Sequence, residues 1–144
     1  MGLKLMLKDY LIAIEEHRRE CLEDLNILSA IAVQRSFSRI EQRAAERALQ
    51  VLIGICIGLA KHWLNSLDKN QPLEAYDSFN KLAMLQKISA DELKQWRKII
   101  GMRNALVHDY LNIDSELLQQ LLAEKRYQFL TDFLEKSRQE IQRK

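Results

Sequence analysis

The sequence predicts an all-α protein, an antiparallel up-and-down helical bundle with a short additional helix. Three observations carry that expectation. Only 4 Gly and 1 Pro occur in 144 residues, whereas an all-β chain of this length needs many tight turns, which draw on both. Apolar residues recur at spacings of three, four and seven along much of the chain, the pattern of helices with one buried face. No stretch alternates apolar and polar residues between turn signals, as a half-buried strand does. The hydrophobic share of 47% and charged share of 29% exclude a disordered chain. The length fits a single domain, 1–144, that needs no disulfide or metal staple to fold.

The first helix runs roughly from Leu3 to Ala30, with Leu7, Leu11, Ile14, Cys21, Leu22, Leu25 and Leu28 on its apolar side. The second starts at Ser38, because Ser38 and Glu41 have the spacing of a capping box, in which each side chain bonds the other's backbone N–H. It continues through Ala44, Ala48, Val51, Leu52, Ile55 and Leu59 to about Leu67, and Asn65, Ser66 and 68–70 supply loop residues. Pro72 suits the first position of a short third helix, where its missing N–H costs nothing, followed by Ala75, Tyr76, Phe79, Leu82 and Ala83. Ser89 and Glu92 make a second capping box, with Ile88 and Leu93 placed to staple it, and this fourth helix runs to about His108 or Tyr110. Asp114 caps a fifth helix, with Ile113 and Leu118 at staple spacing, that ends near the charged tail 138–144.

A net charge of +2 permits nucleic-acid contact without demanding it, so any RNA site must come from local clustering. Cys21 and Cys56 lie inside helical patterns with no CxxC spacing, which points to reduced core thiols and a cytoplasmic setting. Glu15, Glu16 and His17 interrupt the early apolar stretch, so no signal peptide is expected. The most apolar run, Val51 to Ala60, is too short to span a bilayer, and no membrane contact is expected. His17 and Cys21 are four apart but lack the third ligand that a zinc site requires, so neither a metal nor another cofactor is expected. His62, beside Trp63, reads as a cation near a helix C-terminus and a packing aromatic.

The informative stretch is 101–110. Leu93, Trp96, Ile100, Arg103, Val107 and Tyr110 alternate in spacing between three and four and form one seam of the fourth helix. Arg103 thus occupies a position where an apolar residue belongs. A buried, unpaired guanidinium is costly, so Arg103 must meet a carboxylate, a subunit interface or an anionic ligand. Asn104 and His108 are four apart and share a side, while His108 lies about 140° around the helix from Arg103. A fixed cation, an amide, an imidazole and a phenol at one helix end suit phosphodiester chemistry. Arginine grips phosphate bidentately and keeps its charge, and histidine exchanges protons near neutral pH. The plain alternative is a basic pair that complements the helix dipole. Lys94, Arg97 and Lys98 add positive charge with no acid before Asp109, and Arg35, Arg39, Arg43 and Arg47 recur every four residues as one basic stripe. Glu41 and Glu46 partly offset that stripe, which reads as a solvated face; beside a phosphodiester site, Arg39, Arg43, Arg47, Lys94, Arg97 and Lys98 become candidate RNA-backbone contacts.

Arg103-Asn104-x-x-x-His108-x-Tyr110 resembles the R-x4-H-x-Y motif of the HEPN superfamily, in its HepT toxin branch. Residues 46–51, the segment from Pro72 to Leu82 and residues 112–114 resemble that family's second helix, third helix and last-helix start. The likeness covers nearly the whole chain, with one departure: Gly54 and Gly58 stand where the family's second helix is acidic, and they suggest close approach of another helix, within the bundle or across a dimer. The resemblance implies a metal-independent ribonuclease toxin, a homodimer whose motif helices face each other, and a cognate MNT-type nucleotidyltransferase antitoxin. It also implies catalysis by Arg103 and His108 with support from Asn104, and inactivation by AMPylation of Tyr110. Asp109 reads as an exposed helix-end residue. A non-catalytic nucleotide- or partner-binding subunit of a nucleotidyltransferase complex is the alternative.

Overall fold

The computed structural model describes residues 2–67, 69–70, 72–108 and 114–143, apart from the side chains of Leu3, Lys4 and His108. Among them are six helices, α1 Gly2–Gln34, α2 Arg39–Ser66, α3 Ala75–Met84, α4 Ala90–His108, α5 Ser115–Ala123 and α6 Gln128–Gln142, and no strand. The all-α expectation therefore holds. The chain groups into two compact units, Met1–Ile55 with Asp114–Gln128 and Cys56–Ile113 with Phe129–Lys144.

In the first unit α1 presents Leu11, Ile14, Cys21, Leu25 and Leu28 to the core, the face that the periodicity marks. α1 runs one turn beyond the expected end at Ala30 because its C-terminus is capped from a distance. Gln119 on α5 donates from Nε2 to the carbonyls of Ala32 and Arg35, at 3.1 and 2.7 Å, and its Oε1 accepts from the backbone N–H of Phe37 at 3.0 Å. These bonds satisfy backbone groups that a helix end otherwise leaves to water. The α2 capping box forms as expected, Ser38 Oγ accepting from Glu41 N at 3.1 Å and Glu41 Oε1 from Ser38 N at 2.8 Å. Arg35 grips the same carboxylate through both Nη atoms at 2.8 Å. These bonds hold the Glu41 carboxyl down at about 2, Arg35 first and the Ser38 backbone second. On α2 the inward positions are Ala45, Ala48, Leu49, Leu52 and Ile53, while Ala44 is exposed.

In the second unit α2 continues through Cys56, Leu59, Ala60, Trp63 and Leu64, all buried. Asn65 and Ser66, expected in a loop, belong to its last turn. α2 is long and apolar enough to cross a membrane, yet 56% of its most apolar window is buried in protein, as in a core helix. α3 starts at Ala75, three residues after the Pro72 start that the sequence predicts. Its buried apolar residues are Phe79 and Leu82, while Leu73 is 96% exposed. An additional turn at Pro72 would bury nothing, and tertiary packing supplies most helical stability.

The single fifth helix of the sequence reading is two helices, α5 and α6. The Asp114 cap forms, Oδ1 accepting from Glu116 N and Leu117 N at 3.0 and 3.1 Å. After Ala123 the chain turns through Lys125 at φ 53°, with Lys125 N bonded to Leu122 O and Arg126 N to Leu121 O. This is a Schellman termination, usually built on glycine. Lysine fills the left-handed position here, and tertiary contact supports the break. Tyr127 is buried and its hydroxyl donates to Asn26 Oδ1 on α1 at 2.7 Å. Gln86, at φ 61°, ends α3 in the same way.

Candidate functional site

α4 places the candidate residues, and its start is set locally. Ser89 Oγ accepts from Glu92 N at 3.1 Å, Glu92 Oε1 accepts from Ser89 N at 3.0 Å, and Ile88 is buried beneath them. One face is then anchored by Trp96, which is fully buried. Its ring stacks on Phe79 of α3, with centroids 4.0 Å apart and planes at 14°, and meets Phe133 of α6 edge-on at 4.9 Å. Ile100 follows, also buried, and Arg103 is the next residue on that face.

Arg103 is half-buried, and its Nε is buried with no hydrogen-bond partner. Among the described residues no carboxylate pairs with it. Of the three resolutions that the sequence demands for this arginine, no carboxylate supplies one among the described residues. An interface or an anion is what fits. A buried N–H left unpaired costs about 1–3 kcal/mol, and more for a charged group.

Asn104, the next residue, is exposed, so the amide stands on the solvent side of the guanidinium. His108 is the last residue of α4, about 7.5 Å along the axis from Arg103. Tyr110 lies outside the described residues, as do Asp109, Asn112 and the staple residue Ile113. Lys94, Arg97 and Lys98 are exposed on α4, in the second unit. Arg39, Arg43 and Arg47 are exposed along α2, in the first unit. Arg35 is committed to Glu41.

Residues 14–137 match the family described as Ribonuclease HepT-like. The chain belongs to the HepT-like ribonuclease family. The "tRNA nuclease HepT" of Aphanizomenon flos-aquae (strain 2012/KM1/D3) is 30% identical over 94 residues, which are 65% of this chain and 64% of that relative. The matched stretch thus spans less than two thirds of the relative's length. Two solved structures share the fold. One is a toxin–antitoxin crystal structure with AMP-PNP, at TM-score 0.78 and 20% identity, covering 90% of this chain and 98% of that one. The other is the tri-AMPylated Shewanella oneidensis HEPN toxin in complex with MNT antitoxin, at TM-score 0.77 and 21% identity, covering 89% and 96%.

Other expectations for this HepT-like chain meet the structure as follows. At Gly54 no neighbouring helix approaches among the described residues, since nothing lies within 4 Å of a Cβ added there and the position is exposed. Gly58 is half-buried. His62 lies before the last turn of α2 and not in it, and burial lowers its pKa. Cys21 and Cys56 are free and buried, and burial pushes both thiols up. His17 is exposed, and among the described residues no three His, Cys, Asp or Glu side chains are grouped to hold a metal.

The residue that sequence reasoning missed is Tyr76. Given no role beyond its place in the third helix, it is half-buried and bonds Arg97 through its hydroxyl. Nothing in the local sequence signals that pairing across 21 positions.

Proposed function

We propose that this HepT-like chain is the ribonuclease toxin of a toxin–antitoxin pair. The observation that carries the reading is Arg103, a half-buried guanidinium that meets no carboxylate among the described residues, placed five residues before His108 in a chain of this family. In the reaction an RNA 2′-hydroxyl attacks the adjacent phosphorus. The bond to the 5′ oxygen breaks, leaving a 2′,3′-cyclic phosphate and a 5′-hydroxyl. His108 takes or returns the proton, Arg103 neutralises charge growing on the phosphoryl oxygens, and Asn104 orients the imidazole or the phosphate. None of these steps calls for a metal ion. Because positions 103 and 108 lie about 140° apart around one helix, a two-fold dimer through α4 would give a natural cleft that two motif copies share. The tRNA nuclease HepT relative supports an RNA substrate, with tRNA as one candidate beside mRNA.

The purified chain, incubated with RNA and a chelator, is expected to leave 2′,3′-cyclic phosphate ends. Intact RNA under those conditions defeats the reading.

The partner is a nucleotidyltransferase antitoxin, as in the complex of the Shewanella toxin with MNT. It inactivates the toxin at Tyr110, whose phenolic oxygen attacks the α-phosphorus of ATP and displaces pyrophosphate. The added phosphate would compete with RNA for Arg103. Intact-mass spectra after incubation with partner and ATP are expected to show adenylyl additions on the wild type and none on Tyr110→Phe. Additions that persist on the Phe variant mean that the acceptor is another residue.

A further inference from the structure

The fixing of Arg97 differs from that of the chain's other anchored arginines. Arg18, Arg35, Arg126, Arg138 and Arg143 each bond a glutamate carboxylate. Arg97 is held by a neutral group. Its Nη2 donates to Tyr76 Oη at 2.9 Å, and its guanidinium carbon lies 4.9 Å from the centroid of the same ring. A carboxylate partner would cancel the charge, whereas a phenol fixes the side chain and leaves the charge whole. Among the described residues one of the five guanidinium N–H groups is used, which leaves donors for a bidentate grip on an anion.

The surroundings keep that charge uncompensated. Between Glu92 and Asp109 the chain carries Lys94, Arg97, Lys98 and Arg103 and no acid. Lys94 and Lys98 are exposed and, among the described residues, make no ion pair. Arg97 and Asn104 are seven residues apart, so they share the exposed side of α4 at a separation of about 10 Å along the axis. Between them stands Gly101, exposed, with nothing within 4 Å of an added Cβ. A chain laid along this flank meets cations, then bare backbone, then the Asn104 amide.

We propose that Tyr76 and Arg97 form an anchoring pair for an RNA phosphate on the exposed flank of α4, ahead of Asn104 and Arg103. Arg97 binds the phosphate, and Tyr76 is the positioning residue that holds the guanidinium upright before RNA arrives, so that less side-chain freedom is lost on binding. The proposal deepens the ribonuclease reading and rests on it for the identity of the anion.

The test compares wild type, Arg97→Ala, Arg97→Lys and Tyr76→Phe in cleavage kinetics and in direct binding of a fluorescent single-stranded RNA over a salt series. Arg97→Ala is expected to raise KM and Kd roughly tenfold, with kcat within about twofold because the anchor acts away from the reacting phosphorus. Its slope of log affinity against log salt should be shallower by about 0.7, the single-strand value for one phosphate contact. Arg97→Lys should restore that slope without restoring full affinity. Tyr76→Phe should raise KM roughly twofold to threefold with the slope unchanged, since the charge remains and one hydrogen bond is lost. A merely structural role for Tyr76 would lower thermal stability and leave the KM-against-kcat split unmoved. Wild-type KM and salt slope in Arg97→Ala, alongside active wild-type cleavage, overturn the proposal and spare the ribonuclease reading. Binding that weakens in Arg97→Ala while wild type cleaves nothing overturns the ribonuclease reading and spares the anchor. No RNA binding by wild type overturns both.

Discussion

His108→Ala is expected to slow RNA cleavage by roughly 10²–10⁴-fold, the range for loss of a positioned proton donor or acceptor. Arg103→Met is expected to slow it by about 10²–10³-fold, as removal of a single charge-stabilising donor does elsewhere. The two variants differ in what they do to the fold. Methionine keeps the apolar stem of Arg103 in the seam after Trp96 and Ile100 and removes an Nε–H that is buried without a partner. The Arg103→Met midpoint in denaturant should therefore equal or exceed that of the wild type, although its cleavage collapses. A catalytic defect matched by a loss of stability would instead mark Arg103 as a packing residue. Wild-type single-turnover rates in either variant would remove that residue from the reaction.

Trp96→Ala should cost the second unit about 3–5 kcal/mol, read as a lower urea midpoint. The ring is fully buried and contacts Phe79, Phe133 and Phe129, the last at 5.4 Å. Removing it opens a cavity that three aromatic neighbours line. Trp96→Phe should cost less than half as much. It keeps a ring against Phe79 and deletes an indole N–H that is buried and unbonded. Equal losses in both variants would show that a phenyl ring against Phe79 recovers nothing and that the full indole is required. The consequence for function is direct, since Trp96 fixes the rotation of α4 and hence the face on which Arg103 appears seven residues later.

The helix starts were legible because capping is local. Ser38 with Glu41, Ser89 with Glu92, and Asp114 need only neighbours within three residues, and all three caps form. The phase of α4 through Trp96 and Ile100 was legible for a related reason, since helical geometry alone decides which residues share a face. The presence of Arg103 on that face and the motif around it followed from the sequence as well. Other features depended on contacts between residues far apart in the chain. Gln119 extends α1 from 84 positions away through Arg35, and Tyr127 holds the break after α5 from 101 positions beyond Asn26. The α3 start moved because helix propensity yields to what packing can bury. The left-handed turns fell on Gln86 and Lys125, residues that carry no turn signal of their own. For the candidate site the division is the same. Sequence determined which cations line α4. Only the tertiary structure decided that Arg97 is fixed by a phenol from α3 and that the Arg103 Nε is buried without a partner among the described residues, because a guanidinium's partner is set by which helices meet, not by its neighbours in the chain.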